Sequence, residues 1–390
     1  MRNICVVTTS RADYGLLRWL ILDIGETEEL HRQLVVTGSH LLSAYGNTCE
    51  EIEADGIPID ARVEIGPDDD SRLAAARSAG RAVASLAEAF ETLSPDIVVL
   101  LGDRYETLAA AMAAMLLGIP IAHIHGGEIT KGAFDDQARH ALTKLSHLHF
   151  TAAEPYAARL RQMGEAPERV FMVGAPGVEA IRRLTLLTRA EIEENLGTNL
   201  GKPLFLVTYH PETLGGMNPV AAVDDLLNAL AQWRDAEILF TGVNADPGNA
   251  AIRDAVTRFI RERGRGARAF DSLGNHRYLS LMAIADAVIG NSSSGIIEAP
   301  SLGVPTVNIG DRQAGRLRAA SVIDSGESAE EIVAAIERAL DPAFRVLAQR
   351  AESPYAGEDT ARRICDVLRI VPLDGLTQKT FTDLQLRDVA

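Results

Sequence analysis

Four side chains in the first half of the chain are of types that transfer protons, and they follow two predicted strands. Asp103 comes after the apolar run at 97–101, His125 and Glu128 follow a second run at 119–124, and Asp135 comes shortly after. A run without polar alternation is typical of a parallel strand covered on both faces. Ligands bind at the carboxyl ends of such strands. We therefore interpret these residues as candidates for general acid/base catalysis.

Helix capping is the structural alternative for the acids. Asp103 precedes a predicted helix and would serve as its N-cap. Asp135 and Asp136 would be the cap and the first-turn acid of the next helix. The residues alone leave both interpretations open.

A serine-rich motif in the second half suits a phosphate group. Ser292, Ser293 and Ser294 follow a predicted strand that ends at Gly290, and they precede a predicted helix with Glu298 on its second turn. Hydroxyls and free backbone N–H groups at a helix start bind phosphate oxygens. A carboxylate one turn later can accept hydrogen bonds from a ribose diol. The alternative is an N-cap cluster with a surface glutamate.

Other predicted strand ends carry residues that would extend this motif to a diphosphate site. His210, Asn244 and Arg312 each follow an apolar run in the second half, and Arg11 follows the first strand of the chain. A guanidinium beside backbone N–H groups forms an anion site, although Arg11 could equally be an exposed loop arginine. The sequence contains neither GxGxxG nor GxxxxGK[ST], so neither NAD nor a P-loop is indicated.

The elements that hold these residues alternate regularly. Strand, helix and strand recur about six times before residue 180, and the pattern restarts near residue 203. This predicts the α/β class, with a doubly wound parallel sheet in each of two domains. We expect residues 1–180 to form a first domain with the acid/base residues and residues 181–356 to form a second, nucleotide-binding domain. We expect residues 357–390 to form a helix and tail that pack back on the first.

Composition disfavours several classes of protein. The formal net charge of −16 argues against a surface for nucleic acid or anionic membranes. The three cysteines are far apart and show no metal or disulfide spacing. The N-terminal apolar run is too short for a signal peptide, and Gly118 and Pro120 interrupt the longest apolar stretch. We expect a globular, cytoplasmic protein that binds neither nucleic acid nor membrane.

Over nearly its whole length the chain resembles the UDP-N-acetylglucosamine 2-epimerase family. It is most similar to the hydrolysing branch used in bacterial sialic-acid and related nonulosonic-acid synthesis. The resemblance implies two Rossmann-like domains facing each other across a cleft, the glycosyltransferase-B arrangement. It also implies a homo-oligomer, a dimer or a tetramer. The matching segments are TTSRADYG, VTGSHLLSAYGNT, LLGDRYE, HIHGGEITKGAFDDQARHALTKLSHLHF, YHPETL, GNSSSGIIEAPSL and NIGDRQAGR.

The resemblance assigns binding roles to individual residues. It implies that Arg11 contacts the nucleotide, that Arg104 and His210 contact the diphosphate, and that Glu298 binds the ribose hydroxyls. Along or near the phosphate and ribose path it places Asn244, Ser292, Ser293 and Arg312.

For catalysis, the resemblance points to Asp103 and Asp135, which match acidic positions that the family uses. Some sialic-type relatives have a catalytic glutamate where this chain has His125. Either His125 takes the role of that glutamate, or Glu128 does from three residues further on.

The resulting hypothesis is an elimination coupled to loss of UDP. The C2 hydrogen of a sugar is poorly acidic, so its removal needs a leaving group whose developing charge meets fixed donors. Arg104, His210, Arg312 and the amides of residues 292–294 would supply them. Elimination across C1–C2 gives a glycal, to which water adds at C1 while C2 is protonated from the opposite face. From UDP-N-acetylglucosamine the products are free N-acetylmannosamine and UDP, and the reaction needs no cofactor.

Other functions fit part of the sequence. A hydrolysing 2-epimerase of a UDP- or GDP-linked 2,4-diacetamido sugar, as in legionaminic acid synthesis, is compatible with every motif. The HGGE and FDDQARH segments disfavour a non-hydrolysing UDP-N-acetylglucosamine 2-epimerase. A glycosyltransferase of the same fold, or a binding module without catalysis, leaves the acid cluster unexplained.

A metal site is conceivable because five of the nine histidines fall between residues 123 and 149. However, His147 and His149 are predicted on a different strand from His123 and His125, and the sequence has no HExxH motif. We therefore expect no metal and structural roles for His140, His147 and His149.

Overall fold

The first lobe is built on a wholly parallel sheet. The computed structural model describes residues 1–42, 48–66, 69, 71–131, 135–211, 219–242 and 249–384. Within these residues the first sheet has seven strands in the order β3-β2-β1-β4-β5-β6-β7. Its strands are β1 Arg2–Thr8, β2 Leu30–Thr37, β3 Ala61–Val63, β4 Ile97–Leu101, β5 Ile121–Ile124, β6 Leu148–Thr151 and β7 Val170–Met172.

The second lobe repeats the same plan. In the described part of the chain its sheet has six parallel strands in the order β10-β9-β8-β11-β12-β13. These are β8 Leu204–Thr208, β9 Glu237–Thr241, β10 Ala267–Phe270, β11 Ala287–Gly290, β12 Thr306–Ile309 and β13 Val322–Ser325. The predicted fold class, two doubly wound α/β units, is therefore confirmed.

Helices cover both faces of each sheet, and alternate strand residues contribute to opposite cores. Ile97 and Val99 of β4 belong to one core while Val98 and Leu100 belong to the other, as expected for a strand buried on both faces. The helices are α1 Arg11–Glu26, α2 Cys49–Ala54, α3 Arg72–Leu93, α4 Tyr105–Leu116, α5 Asp135–Leu145, α6 Glu154–Gln162, α7 Pro176–Arg183, α8 Arg189–Leu196, α9 Pro219–Ala231, α10 Asn249–Arg263, α11 Gly274–Ile284, α12 Ser294–Ile297, α13 Ala329–Leu340, α14 Pro342–Gln349 and α15 Thr360–Ile370.

The strand order reverses once in each sheet, and both reversals lie where the candidate residues are. In the first sheet the reversal is between β1 and β4, whose ends lead to Arg11 and Asp103. In the second it is between β8 and β11, whose ends lead to His210 and Ser292. Ligands bind in the crevice at such a switch point because the connecting helices diverge to opposite faces there.

The last helix returns to the first lobe. Ile364 and Leu368 of α15 are buried in the same core as Ile4 and Leu17. Further on, the backbone N–H of Thr382 donates to the carbonyl of Gly164 at 2.9 Å. The domain boundaries at 180/181 and 356/357 stay predictions. None of the helices in the described part of the chain has the length and hydrophobicity needed to span a bilayer.

The sequence pattern also predicts a helix that begins near Tyr14 and a helical segment over residues 324–351, and the structure differs from both predictions. Helix α1 begins at Arg11 and not near Tyr14, because Ser10 and Asp13 form a capping box that starts the helix earlier. Residues 324–351 are not all helical, because β13 occupies Val322–Ser325 and pairs with β12. The earlier start of α1 makes Arg11 the first residue of that helix.

Candidate active site

The two lobes face each other across a single cleft that joins both groups of candidate residues. From the first lobe it is lined by Arg11, Asp103, Arg104, His125, Glu128 and Asp135. From the second it is lined by His210, Ser292, Ser293, Ser294, Glu298 and Arg312. Asn244, the remaining candidate, lies outside the described residues. The acid/base candidates and the phosphate-binding candidates therefore share one cavity.

His125 and Glu128 form a buried hydrogen-bonded pair. The Nδ1 atom of His125 lies 2.5 Å from Oε1 of Glu128. The turn between them depends on Gly127, which has a φ of 82° and lies so close to the carbonyl of Tyr156 that a Cβ atom would overlap it. His125 lines the cleft, and Nε2 is the ring nitrogen that the contact with Glu128 does not engage.

Glu128 is held as a carboxylate by a residue from the opposite lobe. Its Oε2 atom is 3.0 Å from Nη2 of Arg316, and only 1% of its surface is exposed. Burial alone would raise the pKa of Glu128, but Arg316 and His125 lower it to about 2. Because both oxygens are engaged, Glu128 is poorly suited to accept a proton from a substrate.

Asp103 is fixed by an arginine on α5. The guanidinium of Arg139, which is 1% exposed, donates to Asp103 and, at 2.8 Å, to Oγ1 of Thr130. Asp136 accepts a hydrogen bond from the backbone of Thr130 at 2.8 Å. The N-cap of α4 is Arg104, so the alternative interpretation of Asp103 as that cap is wrong.

Asp135 connects the start of α5 with the second lobe. It is the first residue of the helix, and its Oδ2 atom is 4.0 Å from Nη2 of Arg312. Asp135 can therefore have both roles, because an acid in the first turn stabilises the helix and can line the cavity at the same time.

Three arginines surround a neutral histidine at the candidate diphosphate position. Burial lowers the pKa of His210 well below its usual value, and nearby Arg312, Arg104 and Arg11 lower it further. Paired backbone and side-chain hydrogen bonds of 2.7 and 2.9 Å join His210 to Asn291, which precedes the serines. This arrangement suits an anion that carries more than one charge.

The hydroxyls of the serine motif are hydrogen-bonded to each other and to Tyr278. Ser294 begins α12, and its hydroxyl lies 2.6 Å from that of Tyr278 and 3.1 Å from that of Ser292. Helix α12 ends at Ile297 and a 3₁₀ turn follows at Ala299–Leu302. Glu298 is the C-cap of α12, and its backbone N–H donates to the carbonyl of Ser294 at 3.0 Å, so it lies one helical turn after Ser294, close to its predicted position.

Glu298 lies where the lobes meet. Its carboxyl group lies so close to the backbone of Gly177, on α7 of the first lobe, that a Cβ atom there would overlap it. Burial raises the pKa of Glu298 to about 8. The carboxyl is therefore mostly protonated at neutral pH in the absence of a ligand.

Arg11 also bridges the lobes. Its guanidinium donates to the carbonyl of Gly242 at 2.5 Å and to the carbonyl of Asp271. The alternative of an exposed loop arginine is wrong, because Arg11 is a half-buried helix residue between the two lobes. Desolvation lowers the pKa of Arg11 relative to its ordinary value.

The comparison with protein families gives one match across most of the chain. Residues 23–369 match the family model described as UDP-N-acetylglucosamine 2-epimerase. The chain belongs to the UDP-N-acetylglucosamine 2-epimerase family. This confirms the resemblance found in the sequence.

Several relatives of this epimerase align with nearly the whole chain. A Campylobacter jejuni protein named GDP/UDP-N,N'-diacetylbacillosamine 2-epimerase (hydrolyzing) is 39% identical, covering 98% of this chain and 99% of its own. The Escherichia coli polysialic acid biosynthesis protein P7 is 39% identical, with 95% and 94% covered. A Legionella pneumophila UDP-N,N'-diacetylbacillosamine 2-epimerase (hydrolyzing) is 35% identical, with 96% and 97% covered. The names of the Campylobacter and Legionella relatives are consistent with the predicted hydrolysing branch.

A solved structure of the same architecture supports the fold of this epimerase. The S. aureus MnaA structure with UDP has a TM-score of 0.80 over 99% of this chain and 100% of its own, at 16% identity. At that identity the likeness concerns the fold alone.

Three cleft residues of this epimerase were not predicted from its sequence. Arg139 and Arg316 hold Asp103 and Glu128, and Tyr278 holds Ser294. A signal was present for Arg139, which follows Asp135 by one helical turn. Arg316 lies in the quoted segment NIGDRQAGR, but nothing local indicates that it reaches the opposite lobe.

Histidines near the cleft are mostly engaged in structural contacts. His123 lies 2.7 Å from the carbonyl of Gly102, and burial lowers its pKa to about 4. His147 accepts a hydrogen bond from a backbone N–H at 3.0 Å, and His149 pairs with Glu165 at 2.9 Å. Across the described ranges, no three His, Cys, Asp or Glu side chains are grouped to hold a metal ion.

Proposed function

We propose that the protein is a hydrolysing 2-epimerase of a UDP- or GDP-linked 2,4-diacetamido sugar. The observation that carries the chemistry is the single cleft in which a cationic pocket faces an acid/base cluster. The sugar is chosen because relatives named for diacetylbacillosamine align over nearly the full chain at 39% and 35% identity. The sequence alone favours UDP-N-acetylglucosamine over this substrate, whereas the names of these relatives favour the diacetamido sugar.

The reaction begins with removal of the C2 proton as the C1–oxygen bond to the diphosphate breaks. The electrons of the C2–H bond form the C1–C2 double bond, giving a 2-acetamidoglycal and a nucleoside diphosphate. Arg104, Arg312 and His210 line the cleft where negative charge on the departing diphosphate would develop. Water then adds its hydroxyl to C1, and C2 receives a proton on the opposite face. The net change is hydrolysis with inversion at C2.

We assign His125 to one of the two proton transfers. With its Nδ1–H donating to Glu128, the ring presents the lone pair of Nε2 to the cleft. Glu128 then orients the ring instead of transferring the proton itself, because both of its oxygens are already bonded. The opposite face of C2 would be served by Asp103 or Asp135, which line the same cavity.

UDP-N-acetylglucosamine is the second candidate substrate. The family model bears its name, and the E. coli relative named for polysialic acid synthesis is as similar as the Campylobacter protein. Both candidates share the chemistry at C1 and C2 and differ at other positions of the sugar ring.

Substrate profiling tests this proposal. The protein is incubated separately with UDP- and GDP-linked diacetamido sugars and with UDP-N-acetylglucosamine, and free nucleoside diphosphate and the released sugar are quantified by NMR. We expect kcat/KM to be highest for a diacetamido sugar, with release of the C2 epimer. A higher kcat/KM for UDP-N-acetylglucosamine would move that sugar to first place, and release of diphosphate without inversion would contradict the reaction.

A further inference from the structure

The loop that follows β12 connects the nucleotide side of the cleft with the acid/base pair. At one point of this loop, Arg312 and Gln313 donate to the carbonyl of Asn291 at 3.2 and 2.8 Å. Asn291 in turn holds His210. A few residues on, Arg316 extends into the first lobe. The loop thus lies between the candidate diphosphate site and Glu128.

Arg316 contacts three consecutive residues of the first lobe. Besides the 3.0 Å contact with Glu128, its Nε donates to the carbonyl of Ile129 at 3.4 Å, and its Nη2 donates to Oγ1 of Thr130 at 3.4 Å. The side chain of Arg316 is 9% exposed. A guanidinium is well suited to such a position because its five donors have a fixed geometry and it stays charged when buried.

The loop around Arg316 is itself anchored. Arg318 donates to the carbonyls of Arg316 and Gln313, both at 2.9 Å, and pairs with Asp324 of β13 at 3.1 Å. The backbone N–H of Leu317 donates to the hydroxyl of Tyr156 on α6 at 3.0 Å. Because the loop is fixed on both sides, the guanidinium of Arg316 is held in place against Glu128.

We propose that Arg316 is a positioning residue, supplied by the second lobe, that fixes Glu128 so that His125 faces the sugar with Nε2. The expected effect on catalysis rests on the proposed function, whereas the fixing of Glu128 by Arg316 does not. Without Arg316, one oxygen of Glu128 would lose its charged partner inside the protein, and the carboxylate would no longer be a fixed acceptor for Nδ1–H of His125.

Removing Arg316 should therefore reduce turnover while leaving nucleotide binding intact. We expect R316M to lower kcat by about 100-fold and to change the dissociation constants of UDP and GDP by less than about threefold. R316K retains a positive charge near Glu128 and should recover part of kcat. R258M, which removes an exposed arginine paired with Asp224 at 3.2 Å, is the matched control and should leave both quantities unchanged.

A double-mutant cycle separates positioning from a general structural effect. Because Arg316 acts through Glu128, R316M should cost little additional kcat in an E128Q background. An additive loss would mean that Arg316 acts independently of Glu128 and would overturn the proposal.

The test also includes a readout that needs no substrate. In protein labelled with ¹⁵N-histidine, the ring signals of His125, assigned with H125N, report which ring nitrogen carries the proton. We expect R316M to change these signals and R258M to leave them unchanged. If the His125 signals in R316M are unchanged, the proposal is overturned whether or not turnover falls. It is also overturned if the signals change while turnover is preserved. If the wild-type protein turns over no nucleotide sugar, the proposed function fails while the NMR result still decides the role of Arg316.

Discussion

Glu128 has one oxygen engaged by His125 and the other by Arg316, and it is nearly inaccessible. At the scale of single residues, the sequence left open whether His125 or Glu128 transfers a proton, and these contacts favour His125. A carboxylate with a pKa of about 2 binds a proton weakly near neutral pH, whereas an imidazole that it orients is a more suitable proton carrier. The two residues should therefore respond differently to substitution.

Replacing His125 should be more damaging than replacing Glu128. We expect H125Q to lower kcat by about 1,000-fold or more, because the proton acceptor is lost. E128Q should lower it by roughly 10- to 100-fold, since the amide oxygen can still accept from the ring of His125. Steady-state kinetics with the best nucleotide sugar measures both. A larger loss in E128Q than in H125Q would reverse the assignment.

The protonated state of Glu298 predicts how stability depends on pH. Burial raises its pKa to about 8 from an ordinary 4.5. Above pH 4.5 the unfolded chain releases a proton that the folded protein keeps, so this group lowers stability increasingly until about pH 8. In E298Q the free energy of unfolding, measured by urea denaturation without nucleotide, should exceed the wild-type value by an amount that grows across this range, to a few kcal/mol. A difference that does not change with pH would contradict the assigned protonation state.

At the scale of elements, α5 carries Asp135 and Arg139 at the cleft, and its other end is held by the C-terminal segment. The Nζ atom of Lys379 lies 2.9, 3.1 and 2.7 Å from the carbonyls of Thr143, Lys144 and Ser146. It also pairs with the buried Glu165 at 2.6 Å. A cation at the carboxyl end of a helix satisfies terminal carbonyls and interacts favourably with the helix dipole.

K379M should therefore destabilise the protein. We expect the free energy of unfolding to fall by about 1–3 kcal/mol, because carbonyls and a buried carboxylate lose a donor. Urea denaturation measures this, with K202M as the control, since Lys202 is exposed. Equal stability of K379M and K202M would mean that the C-terminal segment contributes nothing to holding α5.

Elements with local signals were predictable from the sequence. The alanine-rich segment at about 72–93 predicts a helix, and α3 spans Arg72–Leu93, with Ser71 as the N-cap that accepts a hydrogen bond from the backbone N–H of Ala74 at 3.1 Å. The buried strand Ile97–Leu101 was also recognisable from its apolar run. By contrast, the strand Val322–Ser325 has a polar half and only four residues, so nothing local distinguished it from the helices around it.

For the site, the residues that line the cleft were predictable from the sequence, but a contact between the lobes was not. Strand ends indicated which residues line the cleft, since connections in parallel sheets bring those ends together. The contact between Arg316 and Glu128 was not predictable, because it joins residues of two lobes that are far apart in the chain. The roles of the individual site residues stay predictions, as does the homo-oligomer.

At the scale of the whole molecule, the cleft has a cationic side and an acid/base side. Each side includes residues from both lobes. Arg104 approaches His210 from the first lobe, and Arg312 approaches Asp135 from the second. Nucleotide binding and proton transfer should therefore be separable by mutation although they share one cavity.

Thermal unfolding with nucleotide tests this separation. A saturating nucleoside diphosphate should stabilise the protein by about 2.7 kcal/mol at 100 times its dissociation constant, and Tm should rise accordingly. R104M should lose most of this shift because the diphosphate loses a charged donor. H125Q should keep it, since His125 is assigned to proton transfer. The opposite pattern would mean that the two sides of the cleft are assigned incorrectly.

The most direct test of the central claim, elimination and rehydration in one cleft, is an isotope experiment. The preferred nucleotide sugar is converted in D₂O enriched in ¹⁸O, and both products are examined by mass spectrometry and NMR. Elimination breaks the bond between C1 and the diphosphate oxygen, so we predict nucleoside diphosphate without ¹⁸O and a free sugar with one deuterium at C2. Nucleoside diphosphate containing ¹⁸O, or a sugar with hydrogen retained at C2, would contradict the account.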